Sequence, residues 1–220
     1  MLKTAGMKKI VFAVALLLAL CSAACQRDAS RDGQSRESFD ITGNLLNGSP
    51  DSPVKIEVFS DLQCPGCREL FIKVLQPVMR DYQDKVSVIY YEFPLSGHQY
   101  ARQAARYVVA ADKLGQQKAL SVYEAIFSDQ AYWSSDGNLE YSVAKALSGE
   151  DFQRIRQIMR DTAYLREIDE TVEKSVRYGM SKGVNSTPTL FISHGGKEQE
   201  VKSVLPTYQV MKQFLDPITK

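Results

Sequence analysis

The chain has 220 residues, 44% hydrophobic and 24% charged, with a net charge of +1. Those values describe a globular protein of one generous domain, or of a domain carrying an insertion, and the balanced charge excludes a global attraction to nucleic acid or to an acidic surface. The 4 cysteines fall into two pairs, Cys21 and Cys25 at the end of an N-terminal apolar run, and Cys64 and Cys67 in the body of the chain.

Residues 1–24 read as a signal peptide. Lys3, Lys8 and Lys9 precede the apolar run Ile10 to Leu20, and the small residues Ser22, Ala23 and Ala24 follow it. The run is shorter than the roughly 20 residues of a membrane-spanning helix. Ser22-Ala23-Ala24 fits an ordinary cleavage site. It also resembles a bacterial lipobox ending in Cys25, with Ser22 where a leucine is usual, so Cys25 is the candidate for lipidation and a lipid anchor is expected there. Residues 25–49 are polar and charged without apolar periodicity, the composition of a flexible tether. Either reading places the folded part outside the cytosol, periplasmic or in the cell envelope, or else secreted, where disulfides persist.

After Asp51-Ser52-Pro53, the alternation in Lys55 to Phe59 predicts a strand. A turn containing Ser60, Asp61 and Gln63 leads to Cys64. Beyond it Leu70, Phe71, Val74, Leu75 and Val78 recur at helical spacing, and Pro77 should kink or end that helix. Val86 to Phe93 predicts a second, more buried strand, parallel to the first. Ser96 and Gln99 fit a capping box before a helix bearing Ala101, Ala104, Ala105 and Val108, with Gly115 at its end. A second helix carries Leu120, Tyr123 and Phe127. Asp129 to Gly137, with Trp133, reads as a loop. Three more apolar stripes follow, through Leu139 and Val143, Phe152 and Ile155, and Leu165 to Val176. Such stripes at helical spacing describe core packing. Pro188 to Ser193 predicts a strand, Gly195-Gly196 a hairpin turn, and Lys197 to Val204 a polar edge strand. Pro206 suits the first turn of a last helix with Tyr208, Met211, Phe214 and Leu215.

Cys64-Pro65-Gly66-Cys67 stands where the strand pattern gives way to the helical one. Two intervening residues let both sulfurs meet across a first helical turn. Cys64 at the helix start is favoured as a thiolate by unpaired N–H groups, while Cys67, one turn in, is the natural resolving thiol. Pro65 is tolerated because its missing N–H would be unpaired there anyway. Zinc asks for about four ligands, and beyond the two cysteines the mature chain offers only His98 and His194, far apart in sequence. A purely structural bridge closing so small a loop would add little stability. Redox chemistry is favoured over both, without metal or other cofactor.

Phe59-Ser60-Asp61-Leu62-Gln63-Cys64-Pro65-Gly66-Cys67 resembles the active-site segment of the DsbA-like branch of the thioredoxin superfamily. Gly183 to Phe191 resembles that family's cis-proline loop, and Phe93-Pro94-Leu95 with His98 resembles the start of its helical insertion. The resemblance runs from about Val54 to Phe214. It implies an α/β, thioredoxin-like fold with an inserted helical domain: residues 50–95 and 182–220 forming the thioredoxin-like domain, residues 96–181 the insertion. It implies Cys64 as nucleophile, Cys67 as resolving thiol, and a cis bond before Pro188 with the backbone of Thr187 pairing an extended substrate segment. Two departures stand out. Relatives commonly carry a buried acid six positions before the first cysteine, where this chain has Val58, and the neighbouring Glu57 should face the other side of the strand. Pro65-Gly66 also lacks the histidine that stabilises the thiolate of some oxidants.

The expectation is an exported thiol:disulfide oxidoreductase, an oxidant more than a reductase, acting on exported proteins and reset by a membrane redox partner. The alternatives are a disulfide reductase or isomerase of the same compartment, and a non-catalytic peptide-binding protein of the same fold.

Overall fold

A computed structural model describes residues 43–201 and 205–219. The signal peptide, Cys25, the tether up to residue 42 and the expected end of the edge strand at 202–204 lie outside those residues. Five strands form one sheet: β1 (Asn44–Asn47), β2 (Val54–Ser60), β3 (Val86–Glu92), β4 (Thr189–His194) and β5 (Lys197–Glu200). Their order is β1-β3-β2-β4-β5. β2 and β3 are parallel, as the strand–helix–strand pattern predicts, and the other pairs are antiparallel.

Between β2 and β3 the chain runs through α1 (Pro65–Leu70), a π-helical turn at Phe71–Leu75, and α2 (Gln76–Asp81). Pro77 explains the break. It cannot donate to the preceding turn, and the hydrogen-bond register shifts just ahead of it instead of the helix ending. The shift leaves Phe71 stacked on Phe127, with ring centres 4.9 Å apart, and edge-on to Tyr90.

Six helices separate β3 from β4: α3 (Ala101–Asp112), α4 (Gln116–Ser128), α5 (Gln130–Asp136), α6 (Glu140–Ala146), α7 (Gly149–Arg160) and α8 (Thr162–Ser181). Their apolar stripes are buried. Ser148 caps α7 and Asp161 caps α8 through their side chains. After β5 comes α9 (Tyr208–Leu215), packed against α2 and the π turn, while α8 packs over β3 from the other face of the sheet. Gly195 and Gly196 have φ of 58° and 74°, the left-handed pair that a two-residue hairpin requires.

Four local expectations are corrected. Asn44–Asn47, assigned to the tether, is a strand, since Leu46 is buried and the backbone pairs with β3. Residues 130–136, assigned to a loop, are helix α5, because Trp133 is wholly buried and its indole N–H donates to the Ile126 carbonyl at 2.7 Å. The capping box at Ser96 is not formed. The helix starts later, and the Tyr100 N–H is taken by the Gln63 side chain at 2.7 Å. Pro206 lies before the last helix, whose cap is Thr207 accepting from the Val210 N–H.

Candidate active site

The site lies at the end of β2, where Ser60 gives way to a tight turn. Asp61 builds that turn. One of its carboxylate oxygens accepts from the Gln63 N–H at 2.7 Å, and the other from the Leu95 N–H at 2.8 Å and bonds the His98 ring at 2.8 Å. The turn thereby ties the loop after β2 to the loop after β3. Gln130, from α5, donates to the carbonyls of Leu62 at 2.7 Å and Cys64 at 3.1 Å. The inserted helices therefore hold the backbone that presents the cysteines.

Cys64 caps α1 with extended backbone, and Pro65 occupies the first turn. Its sulfur is half-buried and lies 3.7 Å from the Thr187 carbonyl. Cys67 is fully buried, with the Asp61 N–H pointing at its sulfur from 3.4 Å. Neither thiol is in a disulfide. The Cys64 thiol is drawn down to about 5, chiefly by its hydrogen bond with Cys67 and, against some burial, by the N–H groups of Cys67 and Gly66 and by the Thr187 hydroxyl. Burial pushes Cys67 well above the ordinary thiol value, and the charge on Cys64 adds to that. The pair is thus split into a half-buried thiolate and a fully buried thiol.

The Thr187–Pro188 bond is cis. Pro188 stands directly against the motif, since a Cβ placed on Gly66 would sit 3.5 Å from the proline ring and 3.7 Å from the Cys64 sulfur. Leu205 approaches from the same side. The structure therefore brings Cys64, Pro65, Gly66, Cys67, Thr187 and Pro188 together. It does not bring Cys25 into view, and His194 sits opposite Val54, at the far end of the sheet. Among the described residues no group of three or more His, Cys, Asp or Glu could hold a metal ion.

The faces of β2 divide as the strand period demands. Val58 and Ser60 face α1. Glu57 and Phe59 face α8, where Glu57 meets Tyr91, Tyr178 and Lys182. Glu57 is separated from the cysteines by the sheet. Sequence reasoning passed over Glu92, which is buried at the end of β3 on the α1 face. The signal was available: a single acid in the apolar run Val86 to Phe93. Gln130 gave no comparable signal, since its role depends on a helix that composition did not reveal.

Comparison with known proteins agrees with this arrangement. A family model described as Thioredoxin matches residues 41–216. A probable disulfide bond formation protein D from Bacillus cereus is 25% identical over 195 residues, covering 84% of this chain and 86% of its own. The thiol-disulfide exchange protein α-DsbA2 from Wolbachia pipientis has a similar structure, with a TM-score of 0.63 at 21% identity over 81% of this chain and 88% of its own. A thioredoxin-like oxidoreductase from Silicibacter pomeroyi superposes with a TM-score of 0.60 at 23% identity, over 84% and 97% of the two chains. Among the described residues no helix is long and apolar enough to cross a membrane.

Proposed function

We propose that this chain, a member of the thioredoxin family, is a thiol:disulfide oxidoreductase of the DsbA-like branch that is exported and acts chiefly as an oxidant of protein thiols, with Cys64 as nucleophile and Cys67 as resolving thiol. One observation carries this reading: Cys64 caps α1 with its sulfur half-buried beside the cis Thr187–Pro188 bond while Cys67 is wholly buried one turn on, an arrangement that draws the Cys64 thiol down and pushes Cys67 up. A thiolate this favourable stabilises the dithiol form, so the disulfide form accepts electrons readily. It also makes Cys64 the better leaving group when a mixed disulfide is resolved.

In the oxidising direction a substrate thiolate attacks Cys64 Sγ. A substrate–Cys64 bond forms, the Cys64–Cys67 bond breaks, and its electron pair leaves on Cys67. A second substrate thiolate then attacks the substrate sulfur and releases Cys64. The two sulfurs carry the electrons without a further cofactor. The substrate lies as an extended segment along the backbone of Thr187, in the manner of an added strand, with Pro188 against the reacting sulfurs. A membrane redox partner returns the pair to the disulfide.

In this reading residues 1–24 are the export signal, Cys25 carries the lipid, residues 50–95 and 182–220 form the catalytic domain and residues 96–181 its helical insertion. A potential near −120 mV in glutathione buffers supports an oxidant, and one near −270 mV makes the protein a reductase. Cys64→Ser should abolish both thiol oxidation and insulin reduction. Equal activity in wild type and variant overturns catalysis and leaves a peptide-binding role. Mass spectrometry of the mature N-terminus decides the anchor, and an unmodified Cys25 removes it.

A further inference from the structure

The sulfur that leaves during oxidation, Cys67, is buried and must end as a neutral thiol. A proton has to reach it away from solvent. Val58 offers none, and Glu57 is on the wrong face of the sheet. The neighbouring strand supplies the missing group. Ser60 and Glu92 are direct partners in the parallel register of β2 and β3, about 4.8 Å apart along the sheet, and both face α1. Ser60 stands beside the Cys67 sulfur and eases its ionisation, although no hydrogen bond of good geometry joins them. Tyr90, two residues before Glu92 on the same face, lies close enough to feel the charges of both Cys67 and Glu92.

The hydrogen bonding of this cluster is incomplete. The Ser60 and Tyr90 hydroxyls are buried with no hydrogen-bond partner among the described residues. Glu92 accepts a bond from the Tyr123 hydroxyl. Tyr123 in turn accepts from the Asn44 amide at 2.7 Å. Burial drives the Glu92 carboxyl up to about 8, the nearby Asp61 charge adding to it against the Tyr123 bond. It therefore carries a proton at neutral pH, and that O–H needs an acceptor. Two hydroxyl oxygens without a partner among the described residues, those of Ser60 and Tyr90, lie on the same face of the sheet as Glu92 and Cys67. The titratable or charged groups facing Glu92 are Tyr123 from α4, Tyr90 from β3 and Asp61 from the turn after β2, with no cation paired to it among the described residues.

We propose, resting on the thiol-exchange reading above, that Glu92 is the buried acid that delivers a proton through the Ser60 hydroxyl to Cys67 as that sulfur leaves the disulfide. The Glu92 proton passes to the Ser60 oxygen while the Ser60 proton passes to Cys67 Sγ. Glu92 is left as a carboxylate and takes a proton back from solvent. In the reverse direction the carboxylate receives the Cys67 proton as that thiol attacks a mixed disulfide. Glu92 does not touch the reacting sulfur and acts through Ser60, so its contribution is to keep and place the proton.

The test is rapid-mixing reduction of the oxidised protein by glutathione from pH 5 to 9, with each rate divided by the glutathione thiolate concentration. Wild type should be level up to about pH 8 and then fall as Glu92 loses its proton. Glu92→Gln should be slower at pH 7 by about 100-fold, the low end of what a positioned acid contributes, and flat across the range. An inflection near pH 8 that survives in Glu92→Gln overturns the proposal, as does a variant rate within about twofold of wild type. A purely structural acid would leave that inflection in place or lower the rate equally at every pH. Should Glu92→Gln fail to fold, Ser60→Ala decides, since it keeps the acid and cuts the path: a comparable loss supports the relay, and the wild-type rate overturns it. A wild-type protein that glutathione cannot reduce at all refutes the thiol-exchange reading itself, an outcome distinct from either.

Discussion

On the face of the sheet covered by α8, Glu57 is held by the hydroxyls of Tyr91 at 3.0 Å and Tyr178 at 2.9 Å and by the Lys182 ammonium. On the face covered by α1, Glu92 has the Tyr123 hydroxyl and, among the described residues, no cation. Both carboxyls are almost completely buried, at 1% and 2% exposure. Burial therefore does not decide what a buried acid is for; its partners do. An acid with a counter-charge and filled lone pairs is part of the architecture, and Lys182 is fixed further by Glu198 and by the Phe191 ring, 4.1 Å from its nitrogen. An acid without a counter-charge keeps its proton at neutral pH and has it to give.

The contrast is most severely strained by Lys182→Met, which strands Glu57 in the interior. Breaking a buried pair on one side costs about 3–5 kcal/mol, to be read as a shift of the urea midpoint at pH 7. A loss under about 1 kcal/mol would mean that the tyrosines alone hold Glu57, and the two faces would then be alike. The next effect belongs to Glu92. Its folded pKa is raised, so the folded chain binds this proton more tightly than the unfolded one. The stability it contributes is complete below about 4.5 and drains away by about 1.4 kcal/mol per pH unit until about 8. Between pH 5 and 7, Glu92→Gln should thus gain about 3 kcal/mol relative to wild type in urea titrations. A constant difference across that range would place a cation near Glu92. The smallest effect tests the α8 face by packing alone. A Cβ on Gly179 would lie 2.8 Å from the Phe59 and Phe93 rings. Overpacking of about 1–3 kcal/mol, offset by about 1 kcal/mol of helix propensity, leaves Gly179→Ala about 1 kcal/mol less stable, with the wild-type pH dependence intact. A changed pH dependence would show that the two faces communicate.

What the sequence made legible was whatever depends on near neighbours. The cysteine spacing, the strand-to-helix switch at Cys64, the helical stripes and the Gly195-Gly196 turn are all written within a few residues. The opposite orientation of Glu57 followed from strand period alone. What depends on distant partners was hidden. Asn44–Asn47 has too few apolar residues to announce a strand and exists because β3 offers it an edge. Helix α5 is polar apart from Ala131, Tyr132 and Trp133, and it is held by the burial of Trp133 and by Gln130 reaching the active-site turn. Glu92 looked like the end of an apolar strand until the register set it beside Ser60.

The hairpin that closes the sheet has a further consequence wherever extended chains pass close to it. Lys197, Glu198, Gln199 and Glu200 are all exposed along β5. An open strand edge invites a passing extended chain to add itself, and charged side chains on that edge discourage it. The charged border of β5 therefore makes that edge a poor place for an extended chain to lie down, and so a poor seed for an aggregate.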